Sequence, residues 1–329
     1  MRLCYLVHDQ AGLFYRYKQY LPLFAEKKEV DLFSVQVKSG FFSRLISIWK
    51  ASLSDIVIVR RKLIQPWESL FLFFRPCKVI FDFDDAILFK SSDPYHSFSR
   101  KLKFASMIKA CDVVITGNSY LKSLAEKYTD PGNIIVLPTT LDISKYKKKH
   151  YLEKPDKVTL GWIGSKSTLK YLKTLIPVFN KLGKKYKHLK LKIVADAFLD
   201  CDNLPVEKKE WQYDDEVDDL ISFDIGLMPL DDTPWSNGKC SFKLIQYLAV
   251  GIPSICSPVG MNCDVIENGT HGLWASSLDE WEDQLSKLIE DGDLREKMGS
   301  VAHEKAYLYD QTYVFDKLYK IICDTLESK

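Results

Sequence analysis

Two stretches hold the side chains best suited to chemistry. The first is NGKCSFKLIQYLAVGIPSICSPVG, Asn237 to Gly260. Small polar residues open it, an apolar run with helical spacing follows, and Gly251-Ile252-Pro253 stops the helix before a short strand. Lys239 and Lys243 flank the helix start, where positive charge opposes the helix dipole. A bound anion would offset that cost. The first-turn N–H groups of Ser241, Phe242 and Lys243 have no partner within the helix, and Gly238 before them allows close backbone approach. Two lysines and a helix start suit a diphosphate better than a carboxylate. In GWIGSKSTLK, Gly161 and Gly164 end a strand ahead of a helix, so Gly164 and Ser165 form a second turn facing a phosphate. The spacing is not that of a dinucleotide fingerprint.

The second stretch is FDFDDA, Phe81 to Ala86. Asp82 and Asp84, two apart on a strand, share a face and resemble a site for Mg²⁺ or Mn²⁺. Asp85 alternatively caps the next helix. Gly12, in a turn after the first strand, and Arg16, a cation for a phosphate, are candidates for a second ligand. Asn118, in NSY, starts a helix on the same side. His8 ends the first strand and reads as a structural histidine.

These residues need elements to hold them. RLCYLV, VDLFSV, DIVIVR, KVIFDF, DVVITG and NIIVLP read as strands separated by helical stretches. β-branched, apolar strands alternating with helices indicate a parallel sheet covered on both faces. The lysine-rich stretch DISKYKKKHYLEKPDK lacks apolar periodicity and reads as a linker. Then the pattern restarts: KVTLGWIG, LKLKIVAD, FDIGLMPL and IPSICS as strands, with STLKYLKTLIPVFNKLGKKY as one helix among several. The expectation is an α/β chain of two tandem doubly wound, Rossmann-like domains facing a cleft, over residues 1–153 and 154–308. A C-terminal helix, 309–329, returns to the first domain.

In this order the motifs resemble the retaining glycosyltransferases of the GT-B fold, glycosyltransferase family 4. LGWIGSKSTLKYL, FDIGLMPL, KCSFKLIQYLAVGIPSICSPVG and VIENGTHGLWA carry the resemblance in the second half. VIFDFDDAIL, CDVVITGNSYL and VLPTTLD carry it less specifically in the first. The resemblance implies a nucleotide-sugar donor with its diphosphate at the Ser241–Lys243 helix start, and Lys166 as a basic residue reaching the phosphates. Family members place a glutamate on the ribose and another eight positions earlier; here Gln246 and Gly238 stand there. Gln246 retains hydrogen-bonding ability toward the ribose. The resemblance places Asp84 and Asp85 at the acceptor or the reacting carbon, with Gly12, Arg16 and Asn118 on the acceptor side. It implies retention of configuration and no metal or other cofactor.

Composition sets limits. At 46% hydrophobic and 27% charged over 329 residues, the chain reads as globular. The first apolar stretch is too short for a signal peptide, and no run reaches the ~20 residues of a membrane span. Eight cysteines without metal-ligand spacing suit reduced thiols in a cytoplasmic protein. Residues 1–150 hold 24 Lys and Arg against 14 Asp and Glu, a net +10, and the remainder 22 against 30, a net −8. The lysine run lacks the aromatics of a nucleic-acid surface, so no nucleic-acid partner is expected. GFFSRLISIWK, Gly40 to Lys50, is amphipathic. It fits either an interfacial helix on anionic lipid or a helix packed into the first domain. The reading is a glycosyltransferase acting on a hydroxyl of a cell-envelope glycan or lipid-linked acceptor, at the inner face of the cell membrane. The alternatives are a nucleotide-sugar epimerase and a two-lobed binding protein.

Overall fold

The computed structural model describes residues 1–7, 16–37, 39–151 and 157–328. The chain forms two compact units. One comprises Met1–Thr140, Thr233–Cys240 and Gln311–Lys329, the other Leu141–Asp232 and Ser241–Asp310.

The first unit is built on strands β1 (Arg2–Val7), β2 (Asp31–Gln36), β3 (Ile56–Arg60), β4 (Lys78–Phe83), β5 (Val113–Thr116) and β6 (Ile134–Val136), in spatial order β2-β1-β3-β4-β5-β6. Each neighbouring pair is parallel. Side chains alternate across a strand, so consecutive apolar residues feed two cores. Cys4, Leu6, Val57, Val59, Val79 and Phe81 pack with Ile48, Leu72 and Phe104 of three helices. Leu3, Tyr5, Ile56, Ile58 and Ile80 pack on the opposite face with Phe315, Leu318 and Ile322. Those last belong to the C-terminal helix Gln311–Glu327, which returns to this sheet. Sequence order reverses between β1 and β3, and in such sheets ligands bind beyond the strand ends at that reversal.

The second unit contains β7 (Val158–Ile163), β8 (Leu189–Ala195), β9 (Val206–Glu210), β10 (Ile225–Met228), β11 (Ser254–Cys256) and β12 (Gly272–Trp274), ordered β12-β11-β10-β7-β8-β9. All pairings are parallel, and the reversal falls between β7 and β10. Leu160, Trp162, Leu191, Ile193 and Leu227 pack against Phe179, Leu182, Trp281 and Leu285 of the covering helices. On the other face, the helix Phe242–Val250 lies close to the sheet. A Cβ on Gly226 would overlap the Tyr247 ring. Tyr247 donates to Leu227 O at 3.2 Å and accepts from Ile163 N at 3.4 Å. One side chain thus ties this helix to both strands of the reversal.

The doubly wound architecture follows the sequence reading, and three details differ from it. The described part of the stretch expected as a linker, 142–151, packs on the second unit: Tyr146 donates to Glu216 at 2.8 Å, Lys149 pairs with Asp224 at 3.1 Å and Tyr151 donates to Gly251 O at 2.9 Å. Residues 142–151 therefore belong to the second unit, which begins at Leu141. The long helix expected after β7 is broken into Leu169–Lys173 and Ile176–Lys185, with Pro177 opening the second piece. Proline lacks the N–H an uninterrupted helix requires. Edge strand β9, VEKKE, has too few apolar residues to read as a strand; charge on an edge strand discourages further pairing.

Candidate functional site

In the second unit the helix start expected to hold an anion follows β10. Ser241 is its N-cap in the left-handed conformation, φ 50°, and no acidic residue occupies the first turn. A non-glycine residue there carries a backbone cost of roughly 1–3 kcal/mol, tolerated where the surroundings enforce it. A left-handed residue followed by right-handed helix turns successive N–H groups toward a common point, the geometry of an anion-binding nest. The enforcing contacts are specific. Ser241 Oγ donates to Asn262 Oδ1 at 2.6 Å, Asn262 Nδ2 donates to Ser257 O at 2.9 Å, and Leu230 N donates to Ser257 Oγ at 3.0 Å. The chain ends of β10 and β11 and the helix start are therefore locked together. Lys243 Nζ lies 5.5 Å from the centre of the Trp162 ring. Gln246, 3% exposed, reaches only a ligand that is itself buried.

The turn after β7 differs from expectation. Its helix, Leu169–Lys173, has five residues and a correspondingly small dipole. Lys166 N donates to Asp196 Oδ1 at 2.5 Å, Ser165 N to Thr168 Oγ1 at 3.2 Å, and Ser165 Oγ pairs with Ser167 Oγ at 2.9 Å. A carboxylate already occupies the place given to a phosphate. Gly164 lets the Trp162 ring pack beneath the turn, where a Cβ would overlap it. The Lys166 side chain is exposed and remains a cation at the strand end.

In the first unit the ends of β3 and β4 carry a dense charge cluster. Asp82 accepts from Arg16 Nη2 at 2.8 Å and Nε at 3.2 Å. Arg16 also donates to Leu137 O at 2.7 Å. Arg60 Nη2 donates to Asp84 Oδ2 at 2.7 Å, and its Nε lies 3.5 Å from Asp82. Arg61, itself left-handed at φ 61°, pairs with Asp85. Asp84 Oδ1 is buried and has no hydrogen-bond partner. Arg61 Nε lies 3.9 Å from it, beyond hydrogen-bond reach, so the oxygen keeps room for a further donor.

Environment separates the two carboxyls. Burial opposes charge on Asp84, but Arg60, Arg16 and Arg61 outweigh it and hold the carboxyl down at about 2. Burial and the charge of Asp84 push Asp85 up, against Arg61 and Lys239. One group is a fixed anion and its neighbour binds a proton more readily, the pattern that assigns acid–base roles. The depressed group contributes stability above the unfolded carboxyl value, lost as pH falls through about 2. Denaturant titrations should show about 2 kcal/mol more loss between roughly pH 4 and 2 in the parent than in Asp84→Asn. Equal losses would remove Asp84 as the source.

These contacts revise several expectations. Arg16, 3% exposed, is committed to Asp82 and Leu137 and has no face for a phosphate. Asp85 caps no helix; the next begins at Phe98 behind Ser97. Arginines neutralise the carboxylates read as a metal site, and among the described residues no three His, Cys, Asp or Glu side chains converge to hold an ion. Gly12 lies outside the described residues, as does His8.

Asn118 caps Ser119–Ala125 by accepting from Leu121 N at 2.8 Å. Its Nδ2 donates to Asn237 O at 3.3 Å and Lys239 O at 3.0 Å. It thus anchors the segment Thr233–Cys240 in the first unit. Cys240 Sγ donates to Asp84 O at 2.8 Å, and burial pushes its thiol up. Gly238 packs on Ala86, where a Cβ would overlap; its role is packing, not ligand approach. Lys239 accordingly lies in the unit of Asp85, and Lys243 in the second. Sequence reasoning missed Arg60, Arg61, Asn262 and Ser257. The paired arginines closing DIVIVRR were the available signal.

Residues 236–305 match the family described as Glycosyl transferases group 1. No curated protein matches the chain. Among solved structures, HepE of Anabaena in complex with UDP and glucose aligns with a TM-score of 0.73 at 12% identity, covering 98% of this chain and 100% of that one. Sucrose-phosphate synthase of Thermosynechococcus elongatus aligns at 0.75 and 10% identity, covering 98% and 99%. The lipopolysaccharide outer core galactosyltransferase WaaB aligns at 0.70 and 12%, covering 98% and 99%. The chain has the two-domain fold of these GT-B enzymes.

Proposed function

We propose that this chain is a retaining glycosyltransferase that moves a sugar from a nucleotide-diphosphate donor to a hydroxyl of a cell-envelope glycan or lipid-linked acceptor, without a metal. The observation that carries the reading is the strained Ser241 cap, held by Asn262 and Ser257 at the start of the Phe242–Val250 helix. Residues 236–305, which match the group 1 transferase family, contain this feature. A solved relative in fold, HepE, is described in complex with UDP-glucose. WaaB, described as an outer-core galactosyltransferase, supports the envelope acceptor.

In the proposed reaction the bond from the anomeric carbon to the diphosphate oxygen breaks, and the diphosphate leaves with the electron pair. The nest at Ser241 and the charge of Lys243 stabilise it, as preorganised donors do for developing anions. The acceptor oxygen bonds to the anomeric carbon and loses its proton. Asp84 stabilises the positive charge developing on the sugar, and Asp85 takes the proton. Gln246 hydrogen-bonds the ribose.

Nucleotide release from a panel of nucleotide sugars, with and without glycan acceptors, tests the reading. Release stimulated by an acceptor supports it; interconversion of the donor sugar without release overturns it. Lys243→Ala is expected to weaken nucleoside-diphosphate binding by roughly 1.5–3 kcal/mol while sparing the nucleoside. Calorimetry showing equal losses for both would remove Lys243 from the phosphate site. Turnover should survive EDTA; loss restored by Mg²⁺ or Mn²⁺ would reinstate the metal reading.

A further inference from the structure

Ten of the nineteen large hydrophobic side chains exposed among the described residues fall between Phe41 and Leu102, so exposure is concentrated on one part of the first unit. Three helices supply most of it: Phe41–Ala51, Pro66–Phe73 and Phe98–Lys109. Their inner sides pack on the same face of the first sheet through Ile48, Leu72, Phe104 and Met107. Their outer sides are unusually apolar. Phe42 is 76% exposed, Phe74 at the end of the second helix 74% and Phe98 83%. Phe41, Ile46, Trp49, Leu70 and Phe73 are also exposed.

The helices are held to one another. The Phe41 and Trp67 rings pack at a tilt with their centres 5.0 Å apart, and Arg44 donates to Glu68 at 2.7 and 2.5 Å. Between the second and third helices lies a groove of about 620 Å³, lined by Pro66, Trp67, Leu70, Phe73, Ser106 and Lys109.

Charge identifies the occupant. The three helices carry Arg44, Lys50, Arg100, Lys101, Lys103 and Lys109 against the single acid Glu68. Glu68 is fully buried and consumed by Arg44. The remaining five cations accompany the exposed aromatics. A second copy of this face would set like charges against each other across a twofold axis, whereas anionic lipid headgroups complement them. Among the described residues no helix is long and apolar enough to cross a membrane.

We propose that the outer sides of these three helices form a docking face for an anionic lipid bilayer. Phe73 and Phe74 enter the acyl boundary beside Trp49, and Lys101 and Lys109 meet the headgroups. The helix from Phe41 to Ala51 contributes to both sides, with Ser47, Ile48 and Ala51 buried and Phe41, Phe42, Ile46, Trp49 and Lys50 exposed. The inference rests on this surface alone and is independent of the catalytic reading.

Flotation of the full chain with vesicles of phosphatidylcholine, with and without phosphatidylglycerol, tests it. The chain should float with the anionic vesicles, less at high salt, and not with phosphatidylcholine alone. Phe73→Ser with Phe74→Ser should lower partitioning about a hundredfold, at about tenfold per buried aromatic. Lys101→Glu and Lys109→Glu should each lower it by at least about fivefold. These residues are exposed, and unchanged thermal unfolding of each variant confirms that the fold is spared. Failure to float with anionic vesicles overturns the proposal, as does equal partitioning onto both lipids. It also falls if sedimentation shows a dimer that the Phe variants split while their vesicle binding is retained. Nucleotide release on a soluble acceptor should be unchanged in the Phe variant, which separates failure of this inference from failure of the catalytic one.

Discussion

Asp84→Asn is expected to lower turnover by about 10²–10⁴-fold, the usual contribution of a positioned acid–base or charge-stabilising group, with nucleotide-diphosphate binding nearly unchanged. The substitution is not silent for the fold. It removes the charge facing Arg60, whose side chain is 2% exposed, and leaves that guanidinium the longer contact to Asp82. Breaking a buried ion pair by removing one partner costs roughly 3–5 kcal/mol. The amide keeps one acceptor oxygen for Arg60, so the loss should sit near the low end. Turnover is therefore measured well below the melting temperature of the variant and normalised to its folded fraction. Asp85→Asn is the companion. Arg61, its partner, is 45% exposed and relaxes into water, so little stability is lost while proton transfer is. Full turnover in folded Asp84→Asn, or in Asp85→Asn, removes that residue from the chemistry.

Arg16→Leu is expected to destabilise the first unit by roughly 3–5 kcal/mol, because Asp82 is left buried without its bidentate partner. Asp82→Leu combined with Arg16→Leu should recover much of this loss, since a well-packed apolar pair can replace a buried ion pair at little cost. The double-mutant cycle then gives a coupling energy well above that of a surface pair. Chemical denaturation of the four proteins supplies the four free energies. If Arg16→Leu leaves stability unchanged and raises only the apparent KM for an acceptor, the arginine contacts substrate after all.

The helix start at Ser241 was legible because its signal is local: polar cap residues, an apolar period of 3.6, a glycine stop and a strand within a few positions. The charge cluster was half legible. FDFDDA announced carboxylates at a strand end, but their meaning depended on which cations stood beside them. Arg60 ends the neighbouring strand, Arg61 follows it and Arg16 comes from 66 positions earlier than Asp82, and no spacing rule connects those positions. Arg16 shows the error this produces. Read alone it was a cation awaiting a phosphate; in the fold its partner is a buried aspartate.

The sequence by itself determined the doubly wound α/β class, the order along the chain of every strand but β9 and β12, and the position of the helix that starts at Ser241. Each depends on periodicity and end signals that act over a single element. Only the tertiary structure decided which carboxylate is an ionised anion and which has a raised proton affinity. It also decided that Gly238 packs on Ala86 rather than admitting a ligand, and that Thr233–Cys240 is anchored to the first unit by Asn118. Those outcomes depend on desolvation and on Coulomb interactions between groups far apart in sequence. Both take their size from distances and burial that exist only once the sheet has assembled.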